Sequence, residues 1–455
     1  MIQKNVPKSN FTTVLWAHSI KKSLQLRKER ATKVSVRMLR LITMKESKYN
    51  VYFEHNNKEY IYNSISKAFA KIDANELNLE RLSDKEKMLL EENGFLIDDS
   101  RDELEELEYV YNKYYYSSTS LNIILTPTLK CNFNCPYCFE KTNAKMQERV
   151  DYYEVLKKYA AKYFKYYNSV EISLFGGEPL VQAKEIFDFL ETVSMLKEKE
   201  KFDYTISITT NGSLLTEQIV RLLIKNNCRA IQITIDGYKD IHDKQRTYSN
   251  GRPSYDVIIA NIKQLIKVLI EKESNMKFIL RLNLKDIGIT DVRKTLSEFT
   301  EKEREHIELL FRPIYETNSY KENNSNKLDA LTQFYDLGES MGYSIVKSNY
   351  LYKTCEACGD DNFFYLMPDL TLWKCINNME TEVAKFGYIS EDGQVNVNGN
   401  KLMEWRSYAN CFKDENCRKC SKLPDCFGGC ILQKAMTGRR LCKTFEMSSL
   451  PFLYN

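Results

Sequence analysis

The residues of this chain whose types and spacing carry chemistry are its cysteines, thirteen among 455 residues. The first group reads Cys131-Asn-Phe-Asn-Cys135-Pro-Tyr-Cys138 and follows a short apolar run. Three thiolates on one loop can bind three irons of a four-iron, four-sulfur cluster and leave the fourth iron open to a substrate. A zinc loop or a packing cluster is the rival reading, although structural zinc normally takes a fourth protein ligand. Nine of the last 101 positions are also cysteine, at 355, 358, 375, 411, 417, 420, 426, 430 and 442. Eight of these, Cys355, Cys358, Cys375, Cys417, Cys420, Cys426, Cys430 and Cys442, are enough for two fully ligated clusters, with zinc ribbons as the alternative for the C-x2-C pairs. That leaves Cys228, read as a small buried hydrophobe, and Cys411, which could replace a ligand but is read the same way. Four histidines in the chain give poor support to a histidine metal site or a Ser-His-Asp hydrolase.

The elements that must position these groups follow from periodicity. From residue 121, short apolar runs (121–125, 170–175, 204–208, 230–235, 277–284, 307–311) alternate with amphipathic helical stretches (151–167, 183–197, 216–226, 255–271, 292–299). Six strands in strand–helix alternation predict a parallel α/β sheet, doubly wound or an incomplete barrel, with function at the C-terminal strand edge. Upstream, 48–63 has the pattern of a hairpin around His55-Asn56-Asn57. Residues 64–71 and 83–93 read as helices, the second opening on a Ser83-x-x-Glu86 capping box and ending at Gly94, and 95–97 fits one strand. Acidic 98–108 reads as a linker or a solvated helix.

Several strand ends carry motifs. Phe175-Gly176-Gly177-Glu178-Pro179 ends the second strand, Thr209-Thr210-Asn211-Gly212 the third, and Ile233-Thr234-Ile235-Asp236-Gly237 the fourth, followed by His242-Asp243-x-x-Arg246. Together with the cysteine loop, these segments resemble the radical S-adenosylmethionine (SAM) superfamily, and Cys417-x2-Cys420-x5-Cys426-x3-Cys430 with Cys442 resembles its SPASM domain. The resemblance implies a partial (β/α)6 barrel, a winged-helix-like small N-terminal α+β domain and a C-terminal iron–sulfur domain. It divides the chain into 1–44, 45–100, 101–118 (linker), 119–345 (barrel) and 346–455 (auxiliary clusters). Cys131, Cys135 and Cys138 would hold the SAM-binding cluster and Tyr137 would border the adenine. Gly176, Gly177, Glu178 and Pro179 would receive the cofactor's ammonium, the glycines because a chain without Cβ lets the backbone approach a ligand closely. Thr210 and Asn211 would lie beside the ribose, and Thr234 and Arg246 near the carboxylate, with a surface ion pair the alternative for Arg246. Asn283 and Arg281 are further cofactor candidates, and Asp236 is a candidate base or else an Asp-Gly turn residue. Of the auxiliary cysteines, 355, 358, 375 and 430 would form one set and 417, 420, 426 and 442 the other. Leu370 departs from the family, which usually has glycine there.

By this resemblance the cofactors are SAM and three 4Fe-4S clusters. An electron into the open cluster cleaves the sulfonium to a radical that abstracts hydrogen, with a flavodoxin- or ferredoxin-type donor. The expected function is a maturase installing a thioether or carbon–carbon crosslink in a ribosomally made precursor peptide, whose leader adds as a strand to the N-terminal domain. The alternatives are an anaerobic sulfatase-maturing enzyme and, in another class, a non-catalytic iron–sulfur electron carrier.

Charge and length bound the rest. Lys plus Arg is 66 against 62 acids, a net +4 that gives no case for nucleic-acid binding. Residues 1–44 hold ten basic side chains and one acid, so this segment carries +9 and the remainder −5. It reads as a presequence, a basic arm, or a segment outside the native chain if translation starts at Met44. No run of eighteen apolar residues exists, and cysteines in odd number without an export pattern fit reduced thiolates in the cytoplasm, away from membranes.

Overall fold

The computed structural model describes residues 44–442 apart from 56, 73–76, 78, 81, 117–118, 139, 141–145, 286, 315–324, 347–358, 378, 380 and 441. The basic residues 1–43 and the cysteines at 355 and 358 lie outside the described residues.

The described chain starts with β1 (Met44–Glu46). It continues through an antiparallel sheet of β2 (Asn50–His55), β3 (Lys58–Asn63) and β4 (Phe69–Ile72). Then come α1 (Asp84–Glu92) and β5 (Leu96–Asp98), which pairs back onto β1. The hairpin and the capping box form as the sequence predicts, with Ser83 and Glu86 each bonding the other's backbone. The expected helix at 64–71 does not. The Asn63 carboxamide is buried and accepts from Ile65 N (3.1 Å) and Ser66 N (2.9 Å), and Lys67 then takes φ +61°. This side-chain turn captures the backbone donors a helix would need and returns the chain as β4. Ile61 and Ala70 on one face of the sheet pack with Leu90, Phe95 and Leu96. Phe53, Tyr60 and Phe69 stack on the other, with ring centroids 5.1–6.0 Å apart.

The acidic stretch leads into a packed helix, α2 (Glu103–Tyr116). Its Leu107, Tyr111 and Tyr115 are buried with Tyr49, Cys411, Phe412, Cys417 and Leu423. Its Glu103 accepts from Ser47 Oγ and Lys48 N, both at 2.7 Å. The acids at 98–108 mask the apolar spacing that makes α2 a strut between the N-terminal unit and the cysteine-rich region.

The main body is an α/β partial barrel. Its six expected strands are β6 (Ser120–Leu125), β7 (Ser169–Leu174), β8 (Asp203–Thr210), β9 (Cys228–Ile235), β10 (Lys277–Leu284) and β11 (Ile307–Pro313), all parallel to their neighbours. Between them run α3 (Tyr152–Tyr163), α4 (Ala183–Glu200), α5 (Glu217–Lys225), α6 (Lys239–Gln245), α7 (Tyr255–Glu271), α8 (Ile289–Leu296) and α9 (Glu301–Arg304). After α10 (Ser325–Ser340), β12 (Ser344–Ile345) adds beyond β11. On the other edge β13 (Phe363–Leu366) pairs parallel to β6, and β14 (Thr371–Trp373), β15 (Lys385–Ile389) and β16 (Val395–Val397) continue antiparallel. The cysteine-rich region thus extends the barrel's own eleven-stranded sheet. It ends in α11 (Gly399–Ala409), α12 (Glu415–Lys419), α13 (Leu423–Cys426) and α14 (Ile431–Thr437).

Burial alternates along the barrel strands. In β7, Val170, Ile172 and Leu174 are buried in the core with Ile258, Ile262 and Leu265 of α7, while Ser169, Glu171 and Ser173 face the other way. A parallel sheet covered on both faces reads as continuous apolar runs. The alternation here leaves one face for helices and one for a polar lumen.

The N-terminal unit is fastened to the cysteine-rich region by the ion pair between Lys67 and Asp425, whose side chain is fully buried. Tyr62 Oη donates to Asp425 Oδ1 at 3.3 Å and Ser64 Oγ to Ser421 O at 2.6 Å. Replacing Asp425 by Ala strands a largely buried ammonium and should cost about 2 kcal/mol in stability. The double variant with Lys67→Ala should recover part of that loss; strict additivity of the two losses in urea unfolding would show that the pair is not coupled.

Candidate active site

The strand ends are locked to the cysteine loop by backbone contact. Gly177 N donates to Thr128 O (3.1 Å) and Glu178 N to Lys130 O (2.9 Å). A Cβ on Gly177 would lie 2.3 Å from Lys130 O and 2.5 Å from Leu129 O, and one on Gly176 2.5 Å from Thr128 O. Gly176 also sits at φ +123°. The glycines therefore make room for the chain's own segment leading into Cys131. Glu178 is fully buried and accepts from Thr210 Oγ1 (2.7 Å), Asn211 N (2.7 Å) and Leu180 N (3.1 Å). Burial pushes its carboxyl up while these three donors hold it down. It ties the end of β7 to the end of β8 and thereby places the Thr210-Asn211-Gly212 turn.

That turn reaches the cysteines. Asn211 Nδ2 donates to Asn132 Oδ1 (2.8 Å) and lies 3.8 Å from Cys131 Sγ, which also accepts from Phe133 N at 3.4 Å. Asn132 Nδ2 donates to Ser213 Oγ at 2.9 Å. On its other side the loop is clasped by the segment after Arg246. Asn134 N donates to Thr247 O (2.9 Å), Ser249 N to Asn132 O (2.8 Å), and the Phe133 and Tyr248 rings meet edge-on at 4.8 Å. Burial pushes the Cys131 thiol up to about 11, so the thiolate needs a cationic partner at neutral pH, and the donors aimed at its sulfur suit a metal-bound thiolate. The three thiols on this loop fit an iron–sulfur cluster. Among the described residues no three His, Cys, Asp or Glu side chains converge to hold a single ion. Cluster thiolates bind separate irons and need not converge on one point.

Behind the loop lies one buried polar network that brings four sequence-predicted residues together. Tyr137 Oη donates to Asp236 and accepts from Arg246 Nη1 (2.9 Å) and Asn283 Nδ2 (3.3 Å). Asn283 Nδ2 also reaches Asp236 Oδ1 (3.1 Å), and Arg246 lies 3.9 Å from the same oxygen. Burial raises the Asp236 carboxyl against the pull of Arg246, Tyr137 and Asn283. Burial also opposes the charge on Arg246, but Tyr137 and Asp236 outweigh it and keep the guanidinium protonated. Arg246 is therefore buried and networked, which removes the surface ion-pair reading. Thr234 is buried at the neighbouring register, level with Arg281 of β10.

Sequence reasoning missed the supports of this network. His242 is fully buried, and burial followed by the nearby Arg246 charge holds its imidazole neutral. Its Nδ1 accepts from Asp236 N at 3.3 Å, so Nε2 carries the proton toward Ser254 Oγ (3.0 Å), whose hydroxyl donates to Arg246 O. The relay fixes both Asp236 and Arg246. Asn132, Ser213 and the Thr247–Ser249 clasp were equally unforeseen, because nothing in local spacing says that two loops 115 positions apart will pair.

In the cysteine-rich region, Cys375 and Cys430 belong to one packed cluster with Met367, Trp373 and Trp405, which rests on Leu129 and Phe175 of the barrel. Cys417 packs instead beside Cys411 and α2, and its thiol is pushed up to about 11 by burial, with Cys426 and Cys442 nearby. The two expected sets thus fall in different places as far as they are described. Leu370 holds a φ of +67°, the left-handed region a glycine takes readily, and is buried. The turn survives the departure from glycine because the leucine side chain packs into the core. Cys228 is buried at the start of β9, at the strand end opposite the cysteine loop.

Residues 125–291 match the family model of the radical SAM superfamily. The cysteine-type anaerobic sulfatase-maturating enzyme of Clostridium novyi is 28% identical over 165 residues, which is 33% of this chain and 42% of that protein. The chain spans about a third to a half of the length of the curated relatives it matches. The structure of native anSMEcpe with bound AdoMet and Kp18Cys peptide has a TM-score of 0.52 at 18% identity, covering 73% of this chain and 98% of the other. Streptococcus suis SuiB bound to precursor peptide SuiA gives 0.51 at 15%, covering 87% and 98%. Both share the fold.

Gly177→Ala must push residues 129–130 aside and displace Cys131. The reconstituted variant should bind about four fewer irons per chain than the parent. Iron and sulfide analysis showing full loading would refute this role for the contact.

Proposed function

We propose, from the premise that residues 125–291 are a radical SAM domain, that this chain is a maturase which removes hydrogen from a ribosomally made peptide and leaves a thioether or carbon–carbon crosslink. The fold binds SAM and a 4Fe-4S cluster, and Cys131, Cys135 and Cys138 would hold that cluster. When bound, the pair supplies a reductively generated radical able to take hydrogen from an unactivated C–H bond. The chain's own residues position and shield. Glu178 fixes the ends of β7 and β8, Asn132 and Asn211 orient the loop, and the clasp at Thr247–Ser249 braces its other side. Tyr137, Arg246 and Asn283 hold Asp236 in a buried site where desolvation raises its carboxyl against the pull of these partners, which makes it the candidate base at this strand edge.

The observation that carries the reading is the seating of the Cys375 and Cys430 cluster directly on Leu129 and Phe175, the residues that flank the cysteine loop and the glycine segment. An auxiliary cluster that takes Cys375 and Cys430 among its ligands would lie beside the barrel opening and could accept the electron released as a new bond forms, and a second, taking Cys417, would lie further off beside α2. The small N-terminal sheet, whose β2 and β4 edges pair with no further described strand, suits a leader segment added as a strand. Similarity to a sulfatase-maturating enzyme favours formylglycine formation as the second reading, against which the N-terminal unit speaks.

Reconstituted protein given SAM and dithionite should form 5′-deoxyadenosine, and Cys131→Ala should form none. Cys430→Ala should still form it while losing the peptide product, which mass spectrometry reads as a missing two-hydrogen mass loss. Equal loss of both activities in Cys430→Ala would contradict the division of labour. A sulfatase turned over to formylglycine by this chain would select the second reading.

A further inference from the structure

The barrel lumen holds a second cationic group, Arg281, joined to the network around Asp236 by a single hydrogen bond to Asn283. Along β10, Phe278, Leu280 and Leu282 are buried in the core, so Ile279, Arg281 and Asn283 share the lumen face. Asn283 proves the direction, because it bonds Asp236 and Tyr137. Arg281 Nε donates to Asn283 Oδ1 at 2.9 Å, and among the described residues no carboxylate lies within ion-pair distance of its guanidinium. Arg312 on β11 stands in register with Asn283 and therefore on the same face. Asp236 is already engaged by Arg246 and Tyr137, and Glu178 by β8. The lumen floor below is lined by short polar side chains, Ser173, Ser207 and Gln232.

A largely buried guanidinium with no ion-pair partner among the described residues is costly, and proteins keep such a group where a ligand brings the missing charge. Burial and the like charges of Arg312 and Arg246 push the Arg281 pKa down, and the attraction of Tyr137 and Asp236 offsets them only in part. The planar fork of donors left open on Arg281 matches a carboxylate bidentately.

We propose that Arg281, with Arg312 beside it, forms an anion subsite for the substrate: it takes a peptide carboxylate, the side chain of an Asp or Glu close in sequence to the carbon that is modified. This rests on the peptide-maturase reading above. The same chemistry could be met by the carboxylate of SAM, and the test separates the two sources.

The reconstituted full-length protein, alone and saturated with SAM, is treated with phenylglyoxal, and modification of Arg281 is followed by peptide mass spectrometry. The probes are N-acetyl-Gly-Glu-Gly-amide and its Gln counterpart. With SAM present, the Glu probe should slow modification of Arg281 while the Gln probe does not. In binding titrations Arg281→Gln should weaken the Glu probe about tenfold or more, with Arg281→Lys intermediate, and leave the preference for Glu over Gln abolished. Full protection by SAM alone, or equal protection by the two probes, overturns the proposal. Failure of the protein to form 5′-deoxyadenosine would instead strike the functional reading and is measured separately on the same preparation.

Discussion

One close approach sets the geometry of the site: the backbone of Gly176-Gly177 lies against residues 128–130, with Lys130 O only 2.3 Å from where a Cβ would stand. Any side chain there would drive apart the two segments that must meet, the strand end bearing Glu178 and the loop bearing Cys131. From that contact the rest follows outward. Glu178 can reach Thr210 and Asn211 because its strand end is fixed, and Asn211 can reach Asn132 and the Cys131 sulfur because the turn is fixed. The loop is then closed from the far side by the clasp after Arg246. Each link is directional, and backbone contacts on both flanks of the loop, joined by the side chains of Glu178, Asn211 and Asn132, present the thiols.

The barrel was legible because its signals are short-range. All six apolar runs became strands in the expected order, and Tyr255–Glu271 is a helix between the limits that periodicity sets. Thr216 and Asn226, which bounded an expected helix, are its caps. The misreadings have a common cause. At 64–71 the pattern fits a helix, but one buried asparagine side chain seizes the backbone donors. At 103–116 the acids on the outer face hide Leu107, Tyr111 and Tyr115 on the inner one. The polar residues alternating through β7, Ser169, Glu171 and Ser173, were available in the sequence as the mark of a lumen, and reading the runs for apolar content alone passed over them.

The same division holds for the site. Residues that carry chemistry by type stood out: the three loop cysteines, Glu178, Asp236 and Arg246. The residues that hold them did not, because Asn132, His242 and Ser254 are ordinary side chains whose role exists only once distant strands align. The glycines stand out for their lack of a side chain, and the structure adds a neighbour that spacing does not show, the chain's own residues 128–130. The cysteine-rich region extends the barrel sheet through β13 and leans on Phe175, so its packing is continuous with the strand end that bears Glu178.

The central claim is that the Cys131 loop holds a cluster with one iron open to SAM. Electron paramagnetic resonance of the dithionite-reduced protein tests it most directly. Added SAM should change the spectrum of one cluster in the parent chain and leave the spectrum of Cys131→Ala, whose auxiliary cysteines are intact, unaltered. A spectrum insensitive to SAM in the parent, or equally sensitive in the variant, would contradict the account.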